Sequence, residues 1–148
     1  MKRFIFILGF MIFLIFLSCK SRETQTSLND TNVNAKYDNF KFQFKDFESF
    51  YEKFISDSIY QISRTKFPIK GCYEGLDDKR EWTKDNWPLM KWDLRQEIKE
   101  TSDSLVIEQY ENKFFFGSYC RGCGFSFEME FEKTDNEWFL TYRQENNF

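Results

Sequence analysis

Apolar side chains recur with helical spacing near residue 50. Five of them stand at i, i+3, i+4, i+7 and i+8, with charged residues between them: Phe47, Phe50, Tyr51, Phe54 and Ile55. This spacing predicts an amphipathic helix over residues 46–56, packed by its apolar face on a core. Asp57 can cap a second, short helical turn. An extended segment over residues 64–69 follows, and Pro68 confines it to an edge or an end of a sheet.

The middle of the chain is less regular. A charged run at residues 77–81 predicts a solvated segment. Beyond it, four apolar residues are spaced by three, four and four positions: Trp87, Met90, Leu94 and Ile98. Because Pro88 suits a first helical turn, this spacing predicts a helix over residues 88–100.

The last third of the chain alternates as strands do. Residues 105–110 and 113–116 are strand-like, residues 125–132 alternate strictly between apolar and polar side chains, and residues 138–143 alternate again after a turn. These patterns predict an antiparallel meander. Helices followed by a meander predict one α+β domain over residues 40–148.

A 14-residue apolar run, interrupted only by Gly9, covers residues 4–17 near the start of the chain. A membrane-spanning helix needs roughly 20 residues, whereas the apolar part of a signal peptide needs roughly 7–15. The run therefore predicts a signal peptide over residues 1–18. The tetrapeptide Phe-Leu-Ser-Cys at its end resembles the bacterial lipoprotein lipobox, and this resemblance implies that Cys19 is lipidated and becomes the new N-terminus.

The segment after the signal predicts a tether, because residues 19–39 are polar and contain few side chains that a core could bury. We therefore expect a protein of the bacterial cell envelope, held on a membrane by its N-terminal lipid. Lys20, in place of an acidic residue after Cys19, is similar to the sorting pattern of outer-membrane lipoproteins, and the lack of an acidic cluster there favours the periplasmic face.

Charge and composition exclude several functions. The chain has 21 basic and 24 acidic side chains, a formal charge of −3, which predicts no nucleic-acid partner. It has no histidine, so Ser-His-Asp and Cys-His nucleophile systems and HExxH zinc sites are excluded.

The segment from Phe47 to Ile69 resembles the opening of a family of uncharacterised lipoproteins from the Bacteroidetes. In that family an aromatic helix leads through the pattern D-S-x-x-Q-x-S-R-x-x-F-P, which here runs from Asp57 to Pro68, into the first strand. The resemblance implies a cone-shaped fold like those of nuclear transport factor 2 and ketosteroid isomerase, with N-terminal helices packed on a curved antiparallel sheet. It implies no activity.

Cys120 and Cys123 form a C-x-x-C motif between two predicted strands. A thioredoxin-type redox site would need a helix at the motif, and a zinc site would need four ligands where only Cys72 and carboxylates such as Asp77 or Asp78 remain. We favour a structural disulfide in an oxidising envelope, either between Cys120 and Cys123 or from Cys72 to one of them. No metal and no cofactor is predicted.

Three carboxylates share the polar face of the predicted strand over residues 125–132: Glu128, Glu130 and Glu132. Neighbours on such a face are about 6.5–7 Å apart, which is compatible with paired-carboxylate glycosidase chemistry. A solvated strand face accounts for them without chemistry, and this is the interpretation we adopt.

Aromatic residues make up 21% of the chain. Core filling accounts for most of them. A pocket for an apolar ligand would be lined by five: Trp82, Trp87, Trp92, Phe127 and Trp138.

Together these patterns predict a non-enzymatic envelope lipoprotein that binds a small molecule or an envelope protein. The alternative is a thiol-redox or zinc protein that uses Cys120 and Cys123.

Overall fold

The computed structural model describes residues 39–100 and 103–148, and the side chain of Glu100 is not among the described ones. The predicted signal peptide, Cys19 and nearly all of the predicted tether therefore lie outside the described residues. These ranges contain three helices, α1 (Lys45–Ser56), α2 (Ser58–Ser63) and α3 (Leu94–Glu100). They contain seven strands, β1 (Thr65–Lys70), β2 (Cys72–Gly75), β3 (Lys79–Glu81), β4 (Ser104–Tyr110), β5 (Lys113–Tyr119), β6 (Phe125–Thr134) and β7 (Glu137–Asn147).

The strands form one curved, unclosed sheet in the order β3-β2-β7-β6-β5-β4, and β1 also pairs with β7. Strands β4 to β7 are an antiparallel meander, as predicted. Strands β1 and β2 run parallel to β7, so the sheet is mixed and not wholly antiparallel. The predicted α+β fold class is confirmed.

Helix α1 packs across one face of this sheet through its aromatic side. The ring of Phe47 stacks on that of Phe114, with centroids 4.5 Å apart, and meets Trp138 edge-on at 4.8 Å. Tyr51 and Phe54 are fully buried. The helix predicted over residues 46–56 is confirmed within one residue. Its apolar spacing therefore marks the face that builds the core.

The short second helix is also confirmed, and so is its cap. The Asp57 carboxylate accepts hydrogen bonds from the backbone N–H groups of Ile59, at 2.9 Å, and Tyr60, at 3.0 Å. An acidic N-cap satisfies N–H groups that have no partner in the first turn of a helix. The chain then enters β1 directly.

The helix predicted over residues 88–100 is wrong in its first half, because only Leu94–Glu100 is helical. Gln61, which is 1% exposed, explains the difference. Its amide oxygen accepts from the backbone N–H of Met90 at 2.7 Å, and its amide nitrogen donates to the Met90 carbonyl at 2.8 Å. The backbone groups of Met90 are thus bonded to a side chain. Trp87, Met90, Leu94 and Ile98 are all buried, as core residues should be.

The charged run at residues 77–81 contains an element that its composition does not predict. Lys79–Glu81 is a short, exposed strand that pairs antiparallel with β2 at the end of the sheet order. Charged side chains on such a strand disfavour pairing with further strands. Within the described ranges no helix is both long and apolar enough to cross a membrane.

Candidate functional site

A cavity of about 250 Å³ lies over strands β5 to β7, beside α3 and the segment that leads into it. Four aromatic rings, one hydroxyl group and three charged side chains line it: Trp92, Glu97, Phe116, Ser118, Phe125, Phe127, Arg143 and Glu145. Such a mixture of apolar walls with a few convergent polar groups is typical of sites that bind small molecules.

Strand register places the charged pair of this cavity among core residues. Glu145 lies directly opposite Phe127, and Arg143 lies opposite Met129, so each shares a sheet face with a buried side chain. A bulge between Glu130 and Phe131 shifts the pairing by one residue.

This bulge overturns part of the predicted alternation in β7. The sequence pattern puts Tyr142 on the face of Trp138 and Leu140, and Arg143 on the other. The structure buries Arg143 on the core face and places Tyr142 on the opposite face. A bulge adds one residue to a strand and reverses the faces beyond it.

Arg143 is 6% exposed and is held by one carboxylate and three aromatic rings. Its Nε donates to Glu145 Oε1 at 3.0 Å, and its Nη2 donates to the same oxygen. The guanidinium carbon lies 4.9 Å from the ring centroids of both Trp82 and Trp87, and 5.3 Å from that of Phe127. Cation–π contacts thus take the place of a second hydrogen-bonding partner for this buried charge.

Glu145 uses only half of its accepting capacity. All of its hydrogen bonds with described residues go to Oε1, while Oε2 has none. The side chain is 19% exposed. A carboxylate has about four acceptor positions, so Glu145 offers the cavity an oriented and unoccupied acceptor.

Trp92 forms an outer wall of the cavity and is positioned by α1. The hydroxyl group of Tyr51 accepts from the Leu94 N–H at 2.8 Å and donates to the Trp92 carbonyl at 3.5 Å. Burial raises the pKa of Tyr51 above its ordinary value, so the hydroxyl group stays protonated. The ring of Trp92 meets Phe127 edge-on at 5.4 Å.

The five residues predicted to line a pocket do not all meet. Trp92 and Phe127 line the cavity. Trp82 and Trp87 lie behind it, buried against Arg143. Trp138 lies elsewhere, where its indole N–H donates to Asp46 at 3.0 Å. The sequence reasoning missed Arg143 and Glu145, because their position depends on the bulge.

The C-x-x-C motif forms a local disulfide between Cys120 and Cys123 in the loop that joins β5 to β6. This is one of the three pairings that the sequence left open, whereas Cys72 is free and its thiol contacts the Gln144 side chain at 3.6 Å. Gly122 and Gly124 take positive φ angles in this loop. In the described part of the chain, no group of three or more Cys, Asp or Glu side chains could hold a metal ion.

The opposite face of the sheet carries a second carboxylate with a different environment. Glu128 accepts from the hydroxyl groups of Tyr119, at 3.0 Å, and Tyr142, at 2.8 Å, one on each oxygen. Burial, together with the Glu128 hydrogen bond and charge, raises the pKa of Tyr119 to about 12 and that of Tyr142 above its ordinary value. The prediction that Glu128, Glu130 and Glu132 form a solvated face is therefore wrong for Glu128. Glu130 is paired with Lys113.

One protein-family model matches residues 45–148, which is more than half of the chain. The chain belongs to this family, and its fold is NTF2-like. NTF2 stands for nuclear transport factor 2. No curated protein matches the chain.

Several solved structures are similar to this NTF2-like chain in fold alone. An NTF2-like protein from Bacteroides fragilis is 17% identical with a TM-score of 0.47, over 74% of this chain and 50% of that one. This chain thus spans about half the length of that protein. An NTF-2-like protein of unknown function from Shewanella oneidensis is 10% identical, TM-score 0.36, over 68% and 96% of the two chains. A de novo designed protein with a curved β-sheet is 13% identical, TM-score 0.37, over 68% and 93%.

Proposed function

We propose that this NTF2-like protein is a non-enzymatic binding module that holds a small organic molecule in the cavity beside Trp92. The observation that carries the proposal is the environment of Glu145. Its carboxylate is oriented by a buried guanidinium, keeps one oxygen free of hydrogen bonds with the described residues, and lies beside aromatic walls. An oriented polar group within an apolar cavity is what confers specificity on a binding site.

The volume of the cavity limits the size of the ligand. At about 250 Å³ it is smaller than most pockets for drug-sized ligands, which span about 300–1,000 Å³. A molecule of one ring with a short polar substituent matches this size. The rings of Trp92, Phe116 and Phe127 supply the apolar contact for its body.

The binding proposal is tested with 2-phenylethanol as a neutral single-ring probe, by titration followed by ¹H–¹⁵N NMR. We expect saturable shifts at the Trp92 indole and at Ser118 and Phe127. Trp92→Ala should weaken binding about fivefold or more, since an aromatic wall is lost. The matched control is Leu89→Ala, because Leu89 and Trp92 are both 37% exposed and Leu89 lines a different surface hollow. Equal weakening by both variants, or the absence of saturable shifts, would contradict the proposal.

We propose in addition that a lipid on Cys19 anchors the module to a bacterial membrane, on the outer membrane facing the periplasm. Support for this comes from the lipobox-like residues 16–19 and from the apolar run before them. In a bacterial host grown with an alkyne-labelled fatty acid, the full chain should take up label and fractionate with membranes. Cys19→Ser should lose both properties, while Cys72→Ser should keep both. Label on the Cys19→Ser variant would refute the anchor.

A further inference from the structure

The polar groups of the cavity are not equivalent towards a charged ligand. Resting on the proposed function, we propose that the cavity selects an organic cation, namely a primary amine on an apolar or aromatic body. The chemical basis is a carboxylate with one oxygen not bonded to any described residue, a guanidinium side chain that is 7% exposed, and four aromatic rings, all of which line the cavity.

The accessible polar atom belongs to Glu145. Its Oε1 is occupied by two N–H groups of Arg143, while Oε2 makes no hydrogen bond with a described residue. Since the side chain is 19% exposed and lines the cavity, a ligand donor can reach it. An ammonium group carries three donors and no acceptor, so it complements this oxygen.

Arg143 cannot serve as an anion receptor in this arrangement. Its Nε and Nη2 are committed to Glu145, and Nη1 has less than 1 Å² of exposed surface. Nη1 also has no hydrogen-bond partner among the described residues, and the guanidinium is packed among the rings of Trp82, Trp87 and Phe127. A carboxylate in the cavity would therefore meet Glu145 before it could meet a free N–H group.

The rest of the lining favours positive charge as well. Glu97 adds a second carboxylate, so the lining carries two negative charges and one positive charge. The rings of Trp92, Phe116, Phe125 and Phe127 line the same space, and the face of an aromatic ring, unlike its edge, is electron-rich. A cation within about 6 Å of such a face is stabilised by the ring quadrupole.

The test compares three probes with one ring and similar length: phenethylamine, 2-phenylethanol and phenylacetate, at pH 7 and low salt. We expect phenethylamine to bind about tenfold more tightly than 2-phenylethanol, from one cation–π contact and one partly desolvated charge pair. Phenylacetate should bind more weakly than the alcohol. The preference for the amine should shrink at high salt, because ions screen the carboxylates.

Two variants test whether the carboxylates carry this preference. Glu145→Gln keeps an oxygen for Arg143 and should lower the amine-to-alcohol ratio about fivefold, because the main charge pair is lost while the aromatic rings and Glu97 remain. Glu97→Gln leaves the Arg143–Glu145 pair intact and should lower the ratio about twofold to threefold. Glu97→Gln and the salt dependence decide the matter if Glu145→Gln does not fold. Glu111→Gln, in the exposed turn between β4 and β5, is the matched control and should leave the ratio unchanged.

The possible results distinguish a failure of the cation preference from a failure of the proposed binding function. An amine-to-alcohol ratio of one in the unmodified protein, with Trp92-dependent binding of the alcohol, would overturn the cation preference and leave the binding module standing. Tightest binding of phenylacetate would overturn the inference in the same way. If none of the three probes binds, both the inference and the proposed function fail.

Discussion

Two carboxylates on neighbouring strands face opposite sides of the same sheet and have opposite surroundings. Glu128 on β6 accepts from two tyrosine hydroxyl groups, one on each oxygen. Glu145 on β7 accepts from a single arginine through one oxygen, with the other directed to no described group. Two neutral hydroxyl groups occupy both oxygens of Glu128. The charged Arg143 orients Glu145 and occupies only one of its oxygens.

The difference shows how one sheet can give the same type of side chain two different environments. On the face of Glu128, the rings of Tyr119 and Tyr142 cover the carboxylate, and Gly117 makes room because a Cβ there would lie 2.6 Å from the Tyr119 hydroxyl. On the face of Glu145, Gln61 and Tyr51 bind the chain before α3 by hydrogen bonds, and a cavity lies beside this segment. Both residues are glutamates, so the residue type does not explain the difference. Whether a carboxylate oxygen stays unbonded depends on the segments that pack over that face of the sheet.

The largest effect is expected from removing the charge that orients Glu145. Arg143→Ala should lower the free energy of unfolding by about 3–5 kcal/mol. The variant leaves the half-buried Glu145 carboxylate unpaired and removes the cation that packs among three aromatic rings. Urea denaturation followed by circular dichroism measures this. Arg95→Ala is the control, since Arg95 is 31% exposed and pairs with carboxylates at the surface. It should cost about 1 kcal/mol or less. Equal losses would show that burial of Arg143 is unimportant.

Removing the support of the covering layer should have the next largest effect. Gln61→Leu deprives the backbone of Met90 of two buried hydrogen bonds and should cost about 2–4 kcal/mol. The same variant should broaden the Trp92 indole signal in ¹H–¹⁵N spectra, because the segment that carries Trp92 loses its attachment. Gln109→Leu, which removes an exposed hydrogen bond to the Gln43 N–H, should cost less than about 1 kcal/mol. A rigid Trp92 in Gln61→Leu would disprove this role for Gln61.

A smaller effect is expected from changing Glu128, which accepts hydrogen bonds from two tyrosine hydroxyl groups. Glu128→Gln should move the ionisation of Tyr119 down from about 12 towards the ordinary range, because a charge and a strong acceptor are lost. Absorbance at 295 nm during an alkaline titration measures it. The variant should not change 2-phenylethanol binding, in contrast to variants of the cavity. An unchanged titration curve would mean that burial alone sets this pKa.

The sign of the accompanying stability change follows from the raised pKa. The contribution of protonated Tyr119 is complete below the ordinary tyrosine pKa of about 10. It is lost as the pH rises towards about 12. Tyr119→Phe should therefore lose less stability than the unmodified protein across this window. Tyr110→Phe, at an exposed position, should behave like the unmodified protein.

The smallest stability effect is expected from removing the disulfide in the loop that joins β5 to β6. The Cys120→Ser, Cys123→Ser double variant should cost no more than about 2 kcal/mol, because the bridge closes a very short loop. The same variant tests the thiol-redox alternative through insulin reduction, driven by dithiothreitol. We expect no difference in rate between this variant, Cys72→Ser and the unmodified protein. Turnover that only the double variant loses would establish the redox alternative in place of a structural bridge.

Several elements were predictable because their signals are local. The spacing of aromatic residues after Lys45 predicts α1. Asp57 predicts α2, because its side chain can cap that helix. The turn predicted before residues 138–143 is confirmed, with Asp135 and Asn136 at φ angles of 51° and 65°. These two positive φ angles suit a tight hairpin turn, which Asp and Asn tolerate better than most residues.

Other features were beyond prediction because distant groups decide them. Gln61 is far in sequence from Met90, yet its side chain takes up the hydrogen bonds that a helix over residues 88–100 would need. The parallel pairing of β1 with β7 joins residues about 75 positions apart, such as Thr65 and Leu140. Local periodicity carries no information on such contacts.

The α+β class, the order of most helices and strands and the burial of most aromatic residues follow from local periods of 3.6 and 2, because these periods reflect which side chains face a core. Which charged residues enter the cavity depends instead on contacts between distant segments of the chain. A single bulge in the pairing of β6 with β7 turns Arg143 and Glu145 inward and Tyr142 outward. A bulge is set by how two strands fit together, and its effect reaches every residue beyond it.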